Sequence, residues 1–327
     1  IIFVQQLGRG LRKNGNKDYL TVIDFIGNYN NNYLVPIALY GDKTYNKDTL
    51  RKLMASGSNL IPGASTINFD EITKDRIFEA INKANMSKLV DLKNDYNNLK
   101  NKLGRIPMML DFLDYGSRDP WLYVKYKKSY LSFINVVEEE YRQDLNNKEL
   151  KLLEYFNLEI NNGKRVEESL ILLELIKHGE VSIDGFKQMV SERFAYQVSD
   201  ETIASCILNL NFLFIRQDFK IVKQVGSILK IDSDLTACLS NPRFKQFLLD
   251  NTFYSIQSFE KVYSKEKLVG GLIRYHKYGR KDVCRALNWD IDISSTLYGY
   301  RTRNNATPCF VTYHKSKDVE ASINYND

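Results

Sequence analysis

The chain reads as an α+β protein that is mostly helical. Apolar residues step by three and four through much of it, most clearly at Leu89, Leu92, Tyr96, Leu99 and Leu103. Strand-like character is confined to short runs, such as Phe212–Arg216, Phe219–Val222, Leu297–Tyr300 and Pro308–His314. Glycine and proline clusters punctuate the helical stretches, as at Pro62-Gly63 and Gly104-Arg105-Ile106-Pro107. The 327 residues divide on this basis into segments 1–56, 57–145, 146–235 and 236–327.

In the first segment, Thr44 to Ala55 is expected to be helical. In the second, Asp70 or Thr73 is placed to cap a helix running to about Asn82. Met86 to Leu103 predicts an amphipathic helix. Gly104 stands just past its end and Pro107 at the next beginning, the usual asymmetry of the two residues. A short helix over Met108–Tyr115 follows, then a third from Trp121 to about Arg142. Within that third helix, Tyr123, Lys125, Tyr126, Lys127, Lys128 and Tyr130 alternate bases with aromatics, a pattern able to grip a nucleic-acid backbone.

Further helices are expected over Asn147–Phe156 and Val166–His178. Ser182-Ile183-Asp184 and Ser199-Asp200-Glu201 have the composition of helix starts, with acids in the first turn. Helices followed by the strand pair at Phe212–Arg216 and Phe219–Val222 suggest a winged-helix-like segment over roughly Val166 to Ile231. From Phe244 a short helix to Leu249 is expected to give way to β-like segments, with one more helix near Arg280–Leu287. The last segment thus reads as a small β-rich α+β domain.

The apolar fraction, 43%, is ordinary for a globular chain and excludes wholesale disorder. No apolar run approaches the roughly 20 residues of a membrane span, so no membrane partner is expected. Cys206, Cys238, Cys284 and Cys309 are scattered, which fits free thiols in a reducing cytoplasm. The net charge of +6 is concentrated: Gly271 to Lys317 holds nine Lys or Arg against Asp282, Asp290 and Asp292. A basic, tyrosine-rich block is a footprint for a polyanion. Its candidate phosphate contacts are Arg280, Lys281, Arg285, Arg301, Arg303 and Lys315, with Tyr313 offering a flat face. Lys125, Lys127 and Lys128 join them as nucleic-acid candidates. His276, Cys284, Cys309 and His314 lack the spacing of a zinc site, so no metal is assigned.

Near the start stands Gln5-Gln6-Leu7-Gly8-Arg9-Gly10-Leu11-Arg12, followed by the apolar run Leu20–Ile26 and Gly27-Asn28. Arginines three apart share one helix face, and Gly8 permits close backbone approach. The pattern Gln-x-x-Gly-Arg-x-x-Arg resembles the sixth motif of superfamily 2 helicases, in the second RecA-like lobe. The resemblance implies that residues 1–56 are the end of that lobe and that 57–145 is a helical helicase-associated region. It implies that Arg12 is an arginine finger, Arg9 its neighbour at the phosphates, and Gln5 a residue closing the lobe interface, with Gly8, Arg9 and Arg12 contacting ATP. Forked guanidinium donors suit the charge that develops on a transferred phosphoryl group.

No Gly-x-x-x-x-Gly-Lys-Ser/Thr occurs, nor an Asp-Glu motif closing an apolar strand. ATP and Mg2+ are therefore expected only in a longer protein that supplies the missing lobe; this fragment alone should bind neither and turn over no ATP.

The C-terminal strings Tyr278–Cys284, Leu287-Asn288-Trp289, Tyr298-Gly299-Tyr300 and Phe310–Ser316 resemble the family called domain of unknown function 3427. That resemblance implies a bacterial helicase, with a nuclease domain possible upstream, acting in DNA restriction, defence or repair. The expectation is thus the C-terminal portion of an ATP-dependent DNA helicase or translocase, cut at both ends. The alternative is a non-enzymatic DNA-binding or adaptor protein of helix-turn-helix-like modules.

Overall fold

The computed structural model describes residues 31–56, 68–138, 145–263, 268, 271–273, 276–293 and 302–308. The chain divides into two compact units, residues 1–42 with 53–84, and residues 43–52 with 85–327. The described residues are mostly helical, with one small three-stranded antiparallel sheet among them. Among the described residues no helix is long and apolar enough to cross a membrane.

In the first unit, α1 (Leu34–Tyr40) ends at Gly41, and α3 (Glu71–Lys83) starts on Asp70, whose Oδ1 accepts from Thr73 N at 2.8 Å. That carboxylate satisfies one of the orphan N–H groups at the helix start. Helix α2 (Lys47–Ser56) runs across the boundary in sequence between the units.

The larger unit opens with α4 (Leu89–Leu103), stopped by Gly104 at φ +67, a left-handed conformation that favours glycine. Two short helices follow, α5 (Met109–Asp114) and α6 (Trp121–Lys127). The long third helix expected from Trp121 to Arg142 is instead broken. Lys128 adopts φ +68, and Ser129 Oγ accepts from Ser132 N at 3.0 Å to start α7 (Tyr130–Val137). The reason is local: a serine side chain that caps offers the backbone an alternative to continuing.

The break lets two of the three tyrosines of the base–aromatic alternation, Tyr123 and Tyr130, turn inward. Tyr123 and Tyr130 are fully buried with Tyr96, Phe112 and Phe133, and the Tyr123 and Phe133 ring centroids lie 4.6 Å apart. Their hydroxyls donate to Leu92 O and Pro107 O. These rings are core, so only Lys125, Tyr126, Lys127 and Lys128 of that stretch face solvent.

Helix α8 (Asn147–Tyr155) has a capping box between Asn146 and Glu149 and widens into a π turn over Phe156–Ile160. Then come α9 (Glu167–His178), β1 (Glu180–Ser182), α10 (Ile183–Phe194), α11 (Asp200–Leu210), β2 (Val222–Val225) and β3 (Ile228–Ile231). The sheet order is β1-β3-β2, with Val181 opposite Leu229 and Gln224 opposite Leu229 from the other side. Gly226, at φ +60, opens the two-residue turn of the hairpin, where a left-handed residue matches strand twist.

The hairpin lies one element later than expected. Leu213–Ile215 is a 3-10 turn, and the Asn211 side chain holds the following loop by accepting from Ile221 N and Val222 N. A half-buried amide thus takes the place of strand pairing at Ile221 and Val222.

After α12 (Ser233–Leu239), helix α13 (Pro242–Tyr263) runs 22 residues, where a short helix and β-like segments were expected. Phe244, Phe247, Leu248, Ile256 and Phe259 are buried along it, and it packs on α9, α5, α8 and α12. Burial on several sides overrides the weak helix propensity of its aromatic and β-branched residues. The last described helix is α14 (Arg280–Ala286).

Asp250, on α13, accepts from Met109 N at 2.7 Å and Leu110 N at 3.2 Å, capping α5 from another helix. Burial pushes its carboxyl up to about 7, outweighing the two backbone donors that favour the ionised form. A carboxyl with a raised folded pKa binds its proton more tightly in the native state. Its contribution to stability is therefore present at low pH and is lost as pH rises from about 4 to about 7. The stability of wild type relative to Asp250→Asn, measured by urea unfolding, should fall over that interval and then level off. A pH-independent difference would refute the assignment.

Candidate functional site

The turn Gly163-Lys164-Arg165 delivers a guanidinium into the interior just ahead of α9. Arg165 Nη1 donates to Ser205 Oγ at 3.0 Å and to Arg285 O at 2.6 Å. Its Nη2 donates to Thr202 O at 3.4 Å, Cys206 Sγ at 3.5 Å and Asn288 Oδ1 at 3.1 Å. Glu168 Oε1 lies 3.4 Å from Nη1, and Glu167 Oε2 3.8 Å from Nε. One side chain therefore joins the start of α9, the first turns of α11 and the end of α14.

The electrostatics follow from burial. Desolvation pulls the Arg165 pKa down, but Glu168, Cys206 and Glu167 together raise it above the usual value, so the charge stays. Burial pushes the Glu167 carboxyl up, against the pull of Arg165. Burial likewise raises the Cys206 thiol, which leaves it a neutral acceptor and no nucleophile.

A second buried pair lies alongside. Arg285 is 6% exposed, ion-paired to Glu159 and stacked over the Phe214 ring at 4.6 Å. Lys281 Nζ reaches the other oxygen of Glu159 at 3.1 Å. Burial would raise Glu159, but the two cations win and hold its pKa down. Beyond them, Phe214, Cys284 and Trp289 form a small core, with Leu208 of α11 packed against it. A narrow cleft lined by Glu159, Lys164, Arg165, Glu168, Tyr278 and Arg285 opens above the two pairs.

Of the candidates named from the sequence, Arg280 makes a two-point pair with Asp292, Nε–Oδ1 2.5 Å and Nη2–Oδ2 2.7 Å. Arg303 pairs with Asp290, and Asp282 accepts from Gly279 N at 2.8 Å. Arg280, Lys281, Arg285 and Arg303 are thus each matched by a carboxylate. Those carboxylates belong to the same stretch or come from far away in sequence, as Glu159 does. Lys125, Lys127 and Lys128 sit exposed around the end of α6, with Lys127 Nζ 5.5 Å from the Tyr126 ring centroid. Gln5, Gly8, Arg9, Arg12, Arg301, Tyr313 and Lys315 lie outside the described residues. Among the described residues no group of three or more His, Cys, Asp or Glu is placed to hold a metal.

Sequence reasoning missed Arg165, Glu159, Glu167 and Glu168. The only local signal was the dense charge of Lys164-Arg165-Val166-Glu167-Glu168, which reads equally well as a wet helix start.

The chain belongs to the family described as domain of unknown function DUF8090, whose model matches residues 92–263. Residues 272–327 match the model of domain of unknown function DUF3427. No curated protein matches the chain. Arg165 and Glu159 come from the first matched stretch, and Arg285, Asn288 and Lys281 from the second. The polar hub is therefore the seam that joins them.

Leaving Glu167 and Glu168 buried without their cation should be expensive. Arg165→Met is expected to cost about 3–5 kcal/mol of stability, as for a broken buried ion pair. Urea unfolding followed by circular dichroism measures it, and a cost within error of zero would show the hub to be dispensable.

Proposed function

We propose that this chain is the C-terminal portion of an ATP-dependent DNA helicase or translocase, and that residues 167–231 form its winged-helix unit. The observation that carries the reading is the element order α9-β1-α10-α11-β2-β3 with β3 central, joined to a segment that matches DUF3427. Three helices and a three-stranded sheet in that order are the parts of a winged helix, with β2–β3 as the wing. In this reading residues 1–56 belong to the second RecA-like lobe. Arg12 and Arg9 reach the phosphates of ATP and Mg2+ held by a lobe elsewhere in the protein.

The second helix-turn-helix element of such units ordinarily enters the DNA major groove. Here α11 is unsuited to it. It carries Asp200 and Glu201 in its first turn and no Lys or Arg along its length. Its Thr202, Ser205 and Leu208 are engaged by Arg165, Asn288 and the Trp289 core. The unit thus acts as a platform on which the C-terminal segment docks. That same observation favours the second reading, a non-enzymatic adaptor, in which docking is the whole function.

Arg12→Ala in the full-length protein separates the two. Under the first reading DNA-stimulated ATP hydrolysis falls by about 10³–10⁵, as for loss of an arginine finger, while DNA binding stays within a few-fold. Turnover close to wild type ends the arginine-finger assignment. A full-length wild type with no DNA-stimulated turnover at all leaves the adaptor.

A further inference from the structure

The turn after α11 sets one aromatic ring in each of the two matched stretches. Phe212 is buried and packs on Tyr155, Phe156 and Phe219, with ring centroids 5.4, 5.1 and 5.9 Å away. Those three rings all belong to the stretch 92–263. Two residues on, Phe214 is buried against Cys284 and Trp289, and the Arg285 guanidinium lies 4.6 Å over its ring. Cys284, Arg285 and Trp289 all belong to the stretch 272–327. Leu213, between the two rings, is exposed.

The backbone is bent to allow this. Phe212 and Arg216 bracket the 3-10 turn at φ +59 each, in the left-handed region that disfavours a residue with a Cβ. Such a conformation persists only where the surroundings enforce it. On the side of Phe214 the enforcement comes largely from the C-terminal stretch. Cys284, Leu287, Trp289 and Ile293 lie there, and only Leu208 and Ile215 of that cluster come from the stretch that contains the turn.

The turn also carries the hairpin. Asn211, just before Phe212, accepts through Oδ1 from Ile221 N at 2.9 Å and Val222 N at 3.0 Å. Its Nδ2 donates to Val222 O at 2.8 Å, and its own carbonyl accepts from Phe219 N at 3.2 Å. The entry into β2 is thus fixed on the one residue that relaxation of the turn would rotate. Strand β2 is an edge strand, paired only to β3, whereas β3 is also held by β1.

We propose that Phe212–Arg216 is a coupling element. Docking of the C-terminal segment on Phe214 holds the turn in its strained form, and the strained form holds β2 in place. Undocking lets the turn relax and loosens the hairpin from its β2 edge. In the winged-helix reading this puts the wing under the control of the C-terminal segment. The coupling itself rests on packing and hydrogen bonds alone and stands without that reading.

Hydrogen–deuterium exchange of the full chain, read by mass spectrometry, tests it. Trp289→Ala should speed exchange over residues 212–225 by about five- to tenfold, the low end of coupling between distant sites, and leave α4 and α10 within about twofold of wild type. Circular dichroism checks folding. If that variant does not fold, Cys284→Ala trims the same cluster by one sulfur atom and should give the same pattern at about two- to threefold.

Coupling is reciprocal, so the signal must also run from the hairpin to the C-terminal segment. The chain has two tryptophans, and Trp121→Phe leaves Trp289 as the sole fluorescent reporter. In that background Asn211→Ala, which unties β2, should raise acrylamide quenching of Trp289 by about twofold. Unchanged exchange over residues 212–225 in a folded variant overturns the coupling. A rise of equal size throughout the chain overturns it too, because it reports general destabilisation. Trp289 quenching that Asn211→Ala leaves unmoved overturns it from the other direction.

Discussion

A guanidinium enclosed by protein is the constraint around which the larger unit is arranged. Desolvating a charge costs several kcal/mol, so Arg165 is tolerable only where acceptors surround it on every side. Those acceptors come from three places: Glu167 and Glu168 on α9, Thr202, Ser205 and Cys206 on α11, and Arg285 O with Asn288 after α14. None of these elements can shift without exposing the charge to an unpaired environment. Geometry so specified at one point fixes the docking of a helix that contributes little apolar area of its own. Helix α14 is only seven residues long, and it is held by Arg165, by the Arg285–Glu159 pair and by the Trp289 core.

The second constraint lies where α9 crosses α13. Ser169 and Ser255 meet oxygen to oxygen at 2.9 Å, Asn161 bridges to Ser169 and Thr252, and a Cβ added at Gly163 would stand 3.4 Å from Ser258 Cβ. Small polar residues there let the helices approach closely, and Ser169, Ser255, Asn161 and Thr252 hydrogen-bond to one another across the crossing. The same helix α13 reaches α5 through Asp250 and Asp119 through Tyr254. One long helix therefore orders its neighbours with polar contacts as well as with apolar surface. A buried network of this kind specifies one arrangement, because any other leaves several groups unsatisfied.

Much of this was legible in the sequence, and the failures have a common cause. Helix starts read correctly at several side-chain caps, as at Asp70, Ser182 and Ser199, but not at Ser129, whose cap breaks the helix expected from Trp121. The period of Leu92, Tyr96 and Leu99 reported a buried face accurately. Most of what escaped was set by residues distant in sequence. The length of α13 depends on neighbours that cover it on several sides. The displaced hairpin depends on Asn211 reaching ten residues ahead. Arg285 looked like a phosphate contact because its partner Glu159 stands 126 positions away. Local pattern reports the backbone's own preferences; it carries no information on which distant group will meet a charge.

The same holds for function. Counting charges placed the whole positive excess in Gly271 to Lys317, yet the described cations of that block that form ion pairs do so with Asp290, Asp292 and Glu159. The charge available to a partner is decided by three-dimensional neighbours, which a count along the chain does not see. A similar shift affects the winged-helix reading: the helix that would enter a groove is acidic at its start and already occupied by the C-terminal segment. Electrostatic attraction to a backbone needs only a converged set of ammonium groups, whereas base reading needs an exposed helix with the right donors. Helix α11, acidic in its first turn and engaged by Arg165 and Asn288, withholds the second.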